Sequence, residues 1–255
     1  MLIGGAFYNE KRVVINNEEV KLRTRKNIIV AFVLLLSVVT FILCLGSINS
    51  GKALISGVVK HKIVLDAGHG GVDAGATGKQ TGVKESELNL IIVKKLEKYL
   101  VDAGFEVVLT RSTDAGLYGI ATKNLKRKDM EKRREIILKE NPSMVISVHL
   151  NKYSLPSRRG AQVFYRDDVE NSKILAQSIQ SCFNQLEEST RDLSALKGDY
   201  FLLNCSSVPS VIAECGFLSN IEEEKLLITE EYQDKIAYSI FKGIVNYFAE
   251  TTINL

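Results

Sequence analysis

The chain has 255 residues, a hydrophobic share of 45% and a formal net charge of +3. That length is long for one domain and short for two, and the hydrophobic share is ordinary for a globular protein. Its four cysteines (Cys44, Cys182, Cys205 and Cys215) form no CxxC pair, which excludes a cysteine zinc cluster and argues against a full disulfide framework.

Residues 1–26 carry Lys11, Arg12, Lys21, Arg23, Arg25 and Lys26 against Glu10, Glu18 and Glu19, an excess equal to the whole net charge. The rest of the chain is therefore close to neutral, and no nucleic-acid partner is expected. Ile28 to Leu45 is a run of 18 uncharged, mostly apolar residues. With its flanks, 27–48, it is long enough for the ~20-residue helix that crosses a bilayer. Basic residues before the run favour a cytoplasmic N-terminal arm, 1–26. No Ala-x-Ala follows, so 27–48 is expected to be a transmembrane signal anchor rather than a cleaved signal peptide. Residues 49–60, with Gly and Ser, read as a linker. The region 61–255 lacks a second linker, repeat or low-complexity stretch, and is expected to be one catalytic domain outside the cytoplasmic membrane.

Within it, strand and helix patterns alternate. Lys62 to Leu65 is a short apolar run stopped by Asp66-Ala67-Gly68-His69-Gly70-Gly71, a buried strand entering a loop. Glu85 to Ala103 has helical apolar spacing, and Gly104 supplies a stop. Phe105 to Thr110 is the next strand. Asn124 to Glu140 is a charged helix ended by Asn141-Pro142. Met144 to Leu150 reads as a buried strand, Gly160 to Tyr165 as a more exposed one, and Asn171 to Leu186 as a helix. Short strands at Phe201 to Leu203 and Ser210 to Ala213 precede helices at Ile221 to Leu227 and Glu230 to Ala249. The pattern predicts an α/β fold with a mostly parallel sheet.

Ligand sites in such sheets form at the carboxyl ends of strands. The chain has three histidines; His69 follows the first strand and His149 closes Val145-Ile146-Ser147-Val148. Glu214 ends Val211-Ile212-Ala213, and a carboxylate there is costly to bury unless it is paired or functional. Two imidazoles and one carboxylate make a common open zinc site with a place left for water. A further carboxylate nearby serves as general base. By spacing alone Glu85 and Glu87 are equal candidates for the ligating acid, and either suits the first turn of a helix. His61 reads as a solvated linker residue. The glycines around His69 lack the Gly-Lys-Ser/Thr ending and the GxGxxG spacing of a nucleotide loop, and no His-Glu-x-x-His helix is present.

Several segments occur in order: Leu65-Asp66-Ala67-Gly68-His69-Gly70-Gly71-Val72-Asp73-Ala74-Gly75-Ala76, Lys84-Glu85 before Leu88-Asn89-Leu90, Leu109-Thr110-Arg111, Ser147-Val148-His149-Leu150-Asn151, Arg159-Gly160-Ala161-Gln162-Val163-Phe164-Tyr165, Pro209-Ser210-Val211 and Glu214-Cys215-Gly216-Phe217-Leu218-Ser219-Asn220. Together, from about Lys62 to Phe248, they resemble the type-3 family of zinc-dependent N-acetylmuramoyl-L-alanine amidases. Ala67 stands where that family usually has proline. The resemblance implies a mixed, mostly parallel sheet of about six strands flanked by helices, here with the N-terminal transmembrane helix. It implies a zinc ion (Zn2+) held by His69, Glu85 and His149, with Glu214 as the catalytic carboxylate. The bond cut would join N-acetylmuramic acid to L-alanine in peptidoglycan. Arg159 and Arg191 are candidate contacts for peptide carboxylates, and Asn151 is a third candidate substrate-binding residue. The short form resembles the germination-specific amidases of spore formers, whose product leads to muramic-δ-lactam in the spore cortex. A vegetative autolysin and a silent peptidoglycan-binding domain are the alternatives. Expected partners are glycan strands with stem peptides and the membrane through 27–48, with an accessory envelope protein left open.

Overall fold

The computed structural model describes residues 25–27 and 61–253. The unit from Lys60 to Leu255 is built on six strands, β1 (Lys62–Ala67), β2 (Glu106–Leu109), β3 (Met144–Asn151), β4 (Gln162–Tyr165), β5 (Leu196–Lys197) and β6 (Ser210–Phe217). Five helices accompany them: α1 (Glu85–Asp102), α2 (Leu125–Glu140), α3 (Ser172–Asn184), α4 (Ile221–Leu227) and α5 (Glu230–Ile253). The sheet order is β2-β1-β3-β6-β4-β5. All neighbours are parallel except β4 and β6, which run antiparallel.

Side chains alternate across a strand, so each strand divides its residues between two faces. On one face Ile63 and Leu65, Ile146 and Val148, Val211 and Ala213, and Val163 and Tyr165 join the main core with residues of α1, α3 and α5. Each fully buried Ile, Leu or Val there is worth about 1.5–3 kcal/mol relative to exposure. The other face holds a smaller apolar cluster of Val64, Val145, Ile137 of α2, Leu202 and Cys205. Beyond that cluster, toward the carboxyl ends of β1, β3 and β6, its positions turn polar: Asp66, Ser147, His149, Asn151 and Glu214.

Local chemistry sets the element ends. Gly104 takes a positive φ of 93° after α1, and Asn141 takes the left-handed conformation after α2. The Asn220 side chain accepts from the Glu222 and Glu223 amides and caps α4. Cys182, Cys205 and Cys215 are free and buried.

Three expectations change. Among the described residues no helix is long and apolar enough to cross a membrane, which corrects the transmembrane part of the expected fold class. Even the longest, α5, is interrupted by Glu230, Glu231, Asp234, Lys235 and Lys242. Residues 28–60, on which the expected span 27–48 and linker mostly fall, lie outside the described residues. The strand expected at Phe201 to Leu203 is instead a 3-10 turn, Leu202–Asn204, because Leu202 and Leu203 plug the core through one tight turn. The sixth strand is β5, two exposed residues pairing with the edge of β4, too short to carry an alternation.

Candidate active site

β1, β3 and β6 are parallel, so their carboxyl ends open on one edge of the sheet. His149 and Glu214 are direct register partners across β3 and β6 and share a face. His69 follows β1 by two residues and holds φ at 63°, a conformation costly for a residue with a side chain and often found at functional sites. Gly68 is needed just before it: a Cβ there would lie 2.2 Å from His149 Cε1, inside the ring's own space.

Glu85 enters from the first turn of α1. Its Oε1 lies 3.2 Å from His69 Nε2 and 3.0 Å from His149 Nδ1, and also accepts from the Leu150 amide at 3.1 Å. Its Oε2 accepts from the Ala76 amide at 2.7 Å. Gly75, at φ 67°, leaves room for this: a Cβ there would stand 2.5 Å from Glu85 Oε2. Glu87 is half-buried and pairs instead with Lys84 at 3.3 Å.

One ligand atom from each of His69, Glu85 and His149 lies within 4.8 Å of the others, so the group could hold a metal ion. The imidazole rings stand edge to face with centroids 5.0 Å apart. His69 Nδ1 faces Asp73 Oδ2 at 3.0 Å, the carboxylate–histidine contact that orients a ligating imidazole and frees its other nitrogen. Burial opposes charge on both sides of this cluster but is outweighed. Glu85 and Asp73 raise the His69 pKa, and the two imidazoles hold the Glu85 carboxyl well below its usual range.

Glu214 lines the same cleft, and burial raises its pKa. Its Oε2 is buried without a hydrogen-bond partner among the described residues. Such an orphaned oxygen is uncommon in a folded protein and calls for a reason. An orphaned carboxylate oxygen beside a His-Glu-His donor set fits a resident zinc ion with a water next to it.

Two arginines brace the loop that carries His69. Arg111 donates to the carbonyls of Ala67 (2.8 Å), Gly68 (2.9 Å) and Ser86 (2.8 Å). Arg133 of α2, about 1% exposed, pairs with Asp66 (2.5 Å) and Asp129 (2.6 Å) and donates to the carbonyls of Ala67 (2.7 Å) and His69 (2.5 Å). Asp66 also accepts from Thr110 and Ser147, each at 2.6 Å. Asp66 and Arg111 stand in the motifs that carry the resemblance, but the sequence assigned no role to them or to Arg133. For Arg133 a signal existed: it shares a helix face with Asp129, Met130 and Ile137 at spacings of three and four.

The cleft has a volume of about 390 Å³ and is walled by Lys126 and Met130 on one side and Tyr200, Phe201 and Leu202 on the other. The three expected substrate contacts, Asn151, Arg159 and Arg191, come together elsewhere, in a neighbouring cavity of about 410 Å³ that Arg158 and Tyr153 also line. His61 is remote from both. It packs on Phe248 with ring centroids 4.3 Å apart and meets Ser143 Oγ at 3.3 Å, which corrects its reading as a solvated residue.

A family model described as N-acetylmuramoyl-L-alanine amidase (Amidase_3) matches residues 63–246. The germination-specific N-acetylmuramoyl-L-alanine amidase of Bacillus subtilis is 37% identical over 194 residues, 74% of this chain and 80% of that one. The N-acetylmuramoyl-L-alanine amidase LytC of the same organism is 31% identical over 193 residues, 75% of this chain and 36% of LytC. Among solved structures, the CwlD amidase of Clostridioides difficile, in complex with the GerS lipoprotein, superposes with a TM-score of 0.72. It is 39% identical, with 74% of this chain and 99% of that one covered.

Proposed function

We infer the reaction from one premise: this chain belongs to the Amidase_3 family of N-acetylmuramoyl-L-alanine amidases and is a hydrolase of peptidoglycan. The ion at its centre is zinc, held by His69, Glu85 and His149, and Glu214 is the catalytic carboxylate. The observation that carries this reading is the meeting of the three donor side chains next to Glu214, whose Oε2 has no hydrogen-bond partner among the described residues. Two imidazoles and one carboxylate suit zinc.

When bound, the ion supplies Lewis acidity, polarising the amide carbonyl and making water a better nucleophile. The chain's own residues do the rest. Glu214 accepts a proton from the attacking water as the oxygen joins the lactyl carbonyl carbon. It returns that proton to the nitrogen as the C–N bond breaks, leaving a lactyl carboxylic acid, whose remaining proton passes to the freed amine of L-alanine. Asp73 keeps the His69 ring turned toward Glu85. Arg111 and Arg133 hold the carbonyls of residues 67–69 and so fix the loop. Asn151, Arg159 and Arg191 bind substrate from the neighbouring cavity.

The catalytic domain is residues 61–255, acting outside the cytoplasm, where peptidoglycan lies. Similarity to a germination-specific amidase supports the spore cortex as its wall substrate, with muramic-δ-lactam as the downstream product. The lipoprotein bound to the CwlD amidase supports an accessory envelope protein as a partner here as well.

Mass analysis of peptidoglycan incubated with the chain and zinc, against a chelated control, tests the reading. Stem peptides beginning with a free L-alanine amine are expected, and are lost on chelation. Release that survives chelation overturns the zinc assignment, and cleavage at any other bond overturns the amidase reaction.

A further inference from the structure

Asn89 is fully buried on the inner side of α1, where Leu88, Ile92, Val93 and Leu96 belong to the main hydrophobic core. A polar side chain in such a place costs free energy unless its hydrogen bonds are met. It follows Glu85 by four residues, so the two share one face of the helix.

Asn89 Nδ2 donates to two acceptors, Glu85 Oε1 at 3.3 Å and the Gly68 carbonyl at 3.2 Å. Those acceptors fix which way the amide faces. Turned over, it would aim its oxygen at a carboxylate and a carbonyl, which repel it. In the orientation that remains, Asn89 Oδ1 is buried without a hydrogen-bond partner among the described residues. A leucine at this position would carry no such orphaned oxygen. What the asparagine offers in exchange is its two donor hydrogens.

Those hydrogens join the segments that carry the three proposed ligands. Gly68 is 21 residues from Asn89 in sequence and directly precedes His69. The Gly68 amide in turn donates to the carbonyl of Val148 at 3.0 Å, one residue before His149. A single side-chain amide therefore ties the helix start bearing Glu85 to the point where the His69 loop meets the His149 strand. Apart from the imidazoles, the other donors to Glu85 are backbone amides: Leu150 to Oε1 at 3.1 Å and Ala76 to Oε2 at 2.7 Å. All three donors are neutral, so none cancels the carboxylate's charge as a lysine or arginine would.

We propose that Asn89 is a positioning residue of the metal centre. It keeps the Glu85 carboxylate turned toward both histidines, and at a fixed distance from the His69 loop, before any ion arrives. The cost of ordering these groups is met on folding and is not taken from the binding energy. The assignment rests on the reading of His69, Glu85 and His149 as zinc ligands.

The test is the zinc affinity of the full chain, measured by competition with a chromophoric chelator. Asn89→Leu is close in volume and removes both donor hydrogens. It should bind zinc about 10–100-fold more weakly. Its metal-free Tm should not fall: Glu85 Oε1 keeps the Leu150 amide, the Gly68 carbonyl keeps Arg111, and the orphaned oxygen is gone. With cobalt in place of zinc, its visible absorption should change, because ligand orientation sets those bands. Ser86→Ala is the control. Ser86 Oγ is buried beside Glu85 with no hydrogen-bond partner among the described residues, and its loss should leave zinc affinity unchanged.

Equal zinc affinity in wild type and Asn89→Leu, an equal loss in Ser86→Ala, or an unchanged cobalt spectrum overturns the proposal and leaves the zinc reading intact. If the wild type takes up no zinc, the zinc reading fails and the proposal falls with it. Should Asn89→Leu not fold by circular dichroism, Asn89→Ala decides by zinc affinity and the cobalt spectrum alone.

Discussion

Glu214 holds one carboxylate oxygen that meets no donor among the described residues, while Glu85 has both of its oxygens occupied. The difference suits the separate work proposed for them: one carboxylate fixed as a ligand, one left able to exchange a proton. Glu214→Gln keeps the shape and removes the proton acceptor. Hydrolysis should fall by about 10²–10⁴-fold, with zinc per chain and the circular-dichroism spectrum unchanged. A fully active Glu214→Gln protein would remove that residue from the mechanism. A second residue-scale prediction touches no ligand. Gly68→Ala brings a methyl group to within 2.2 Å of the His149 ring, so the ring must turn away. Bound zinc, read by atomic absorption after dialysis, should drop together with activity. Retention of a full equivalent would mean that the ring is not a ligand.

At the scale of elements, the contact to watch joins β1 to α2 through Asp66 and Arg133. Burial alone would raise the Asp66 pKa, but the Arg133 charge and the Ser147 and Thr110 hydroxyls outweigh it and hold it at about 2, below the ordinary aspartate value of about 3.9. A folded pKa below the unfolded one means stability that is fully present above pH ~4 and lost as pH falls toward 2, worth about 2 kcal/mol. Denaturant midpoints measured between pH 5 and pH 2.5 should show that slope. Asp66→Asn should flatten it and cost about 3–5 kcal/mol at neutral pH, because the buried Arg133 loses its partner. A variant as stable as the wild type would show that Asp129 alone satisfies Arg133. The same pair explains why α2, with few apolar positions, docks firmly: its inward side is held largely by ion pairing, with Ile137 as a lone fully buried hydrocarbon.

At the scale of the molecule, the sheet separates tasks. One face is buried under α1, α3 and α5 and supplies the core; the other collects the chemistry at the carboxyl ends of β1, β3 and β6. The three proposed ligands come from two loops or strand ends and one helix start, so an ion bound by all three crosslinks separate parts of the fold. Zinc should therefore stabilise the folded state by mass action, about 2.7 kcal/mol at 100-fold excess over its dissociation constant. For a unit of this size that is a rise in Tm of roughly 5–10 °C. Calorimetry with added zinc, repeated with His149→Ala, checks this; a rise that persists in the variant would place the ion elsewhere.

Much of this was legible in the sequence because it is local. Apolar runs punctuated by glycine marked the strands, and helical spacing marked α1, α3 and α5. Ordered motifs around His69, His149 and Glu214 pointed to one family. In β3 the functional face is even written in the alternation: Val145, Ser147, His149 and Asn151 against Met144, Ile146, Val148 and Leu150. What is not local could not be read that way. Spacing left Glu85 and Glu87 equal, since both occupy the first turn of α1; only the packing of that turn against β3 brings one to the histidines and leaves the other paired with Lys84. Arg133 looked like one charge among many in α2, because burial depends on what lies opposite, 67 residues away at Asp66. The separation of the arginines from the cleft likewise follows from strand order, which places β4 beside β6. Residue pattern determines which elements form and which faces are polar; which residues meet is decided by tertiary packing, because contacts between distant segments leave no periodic trace in either one.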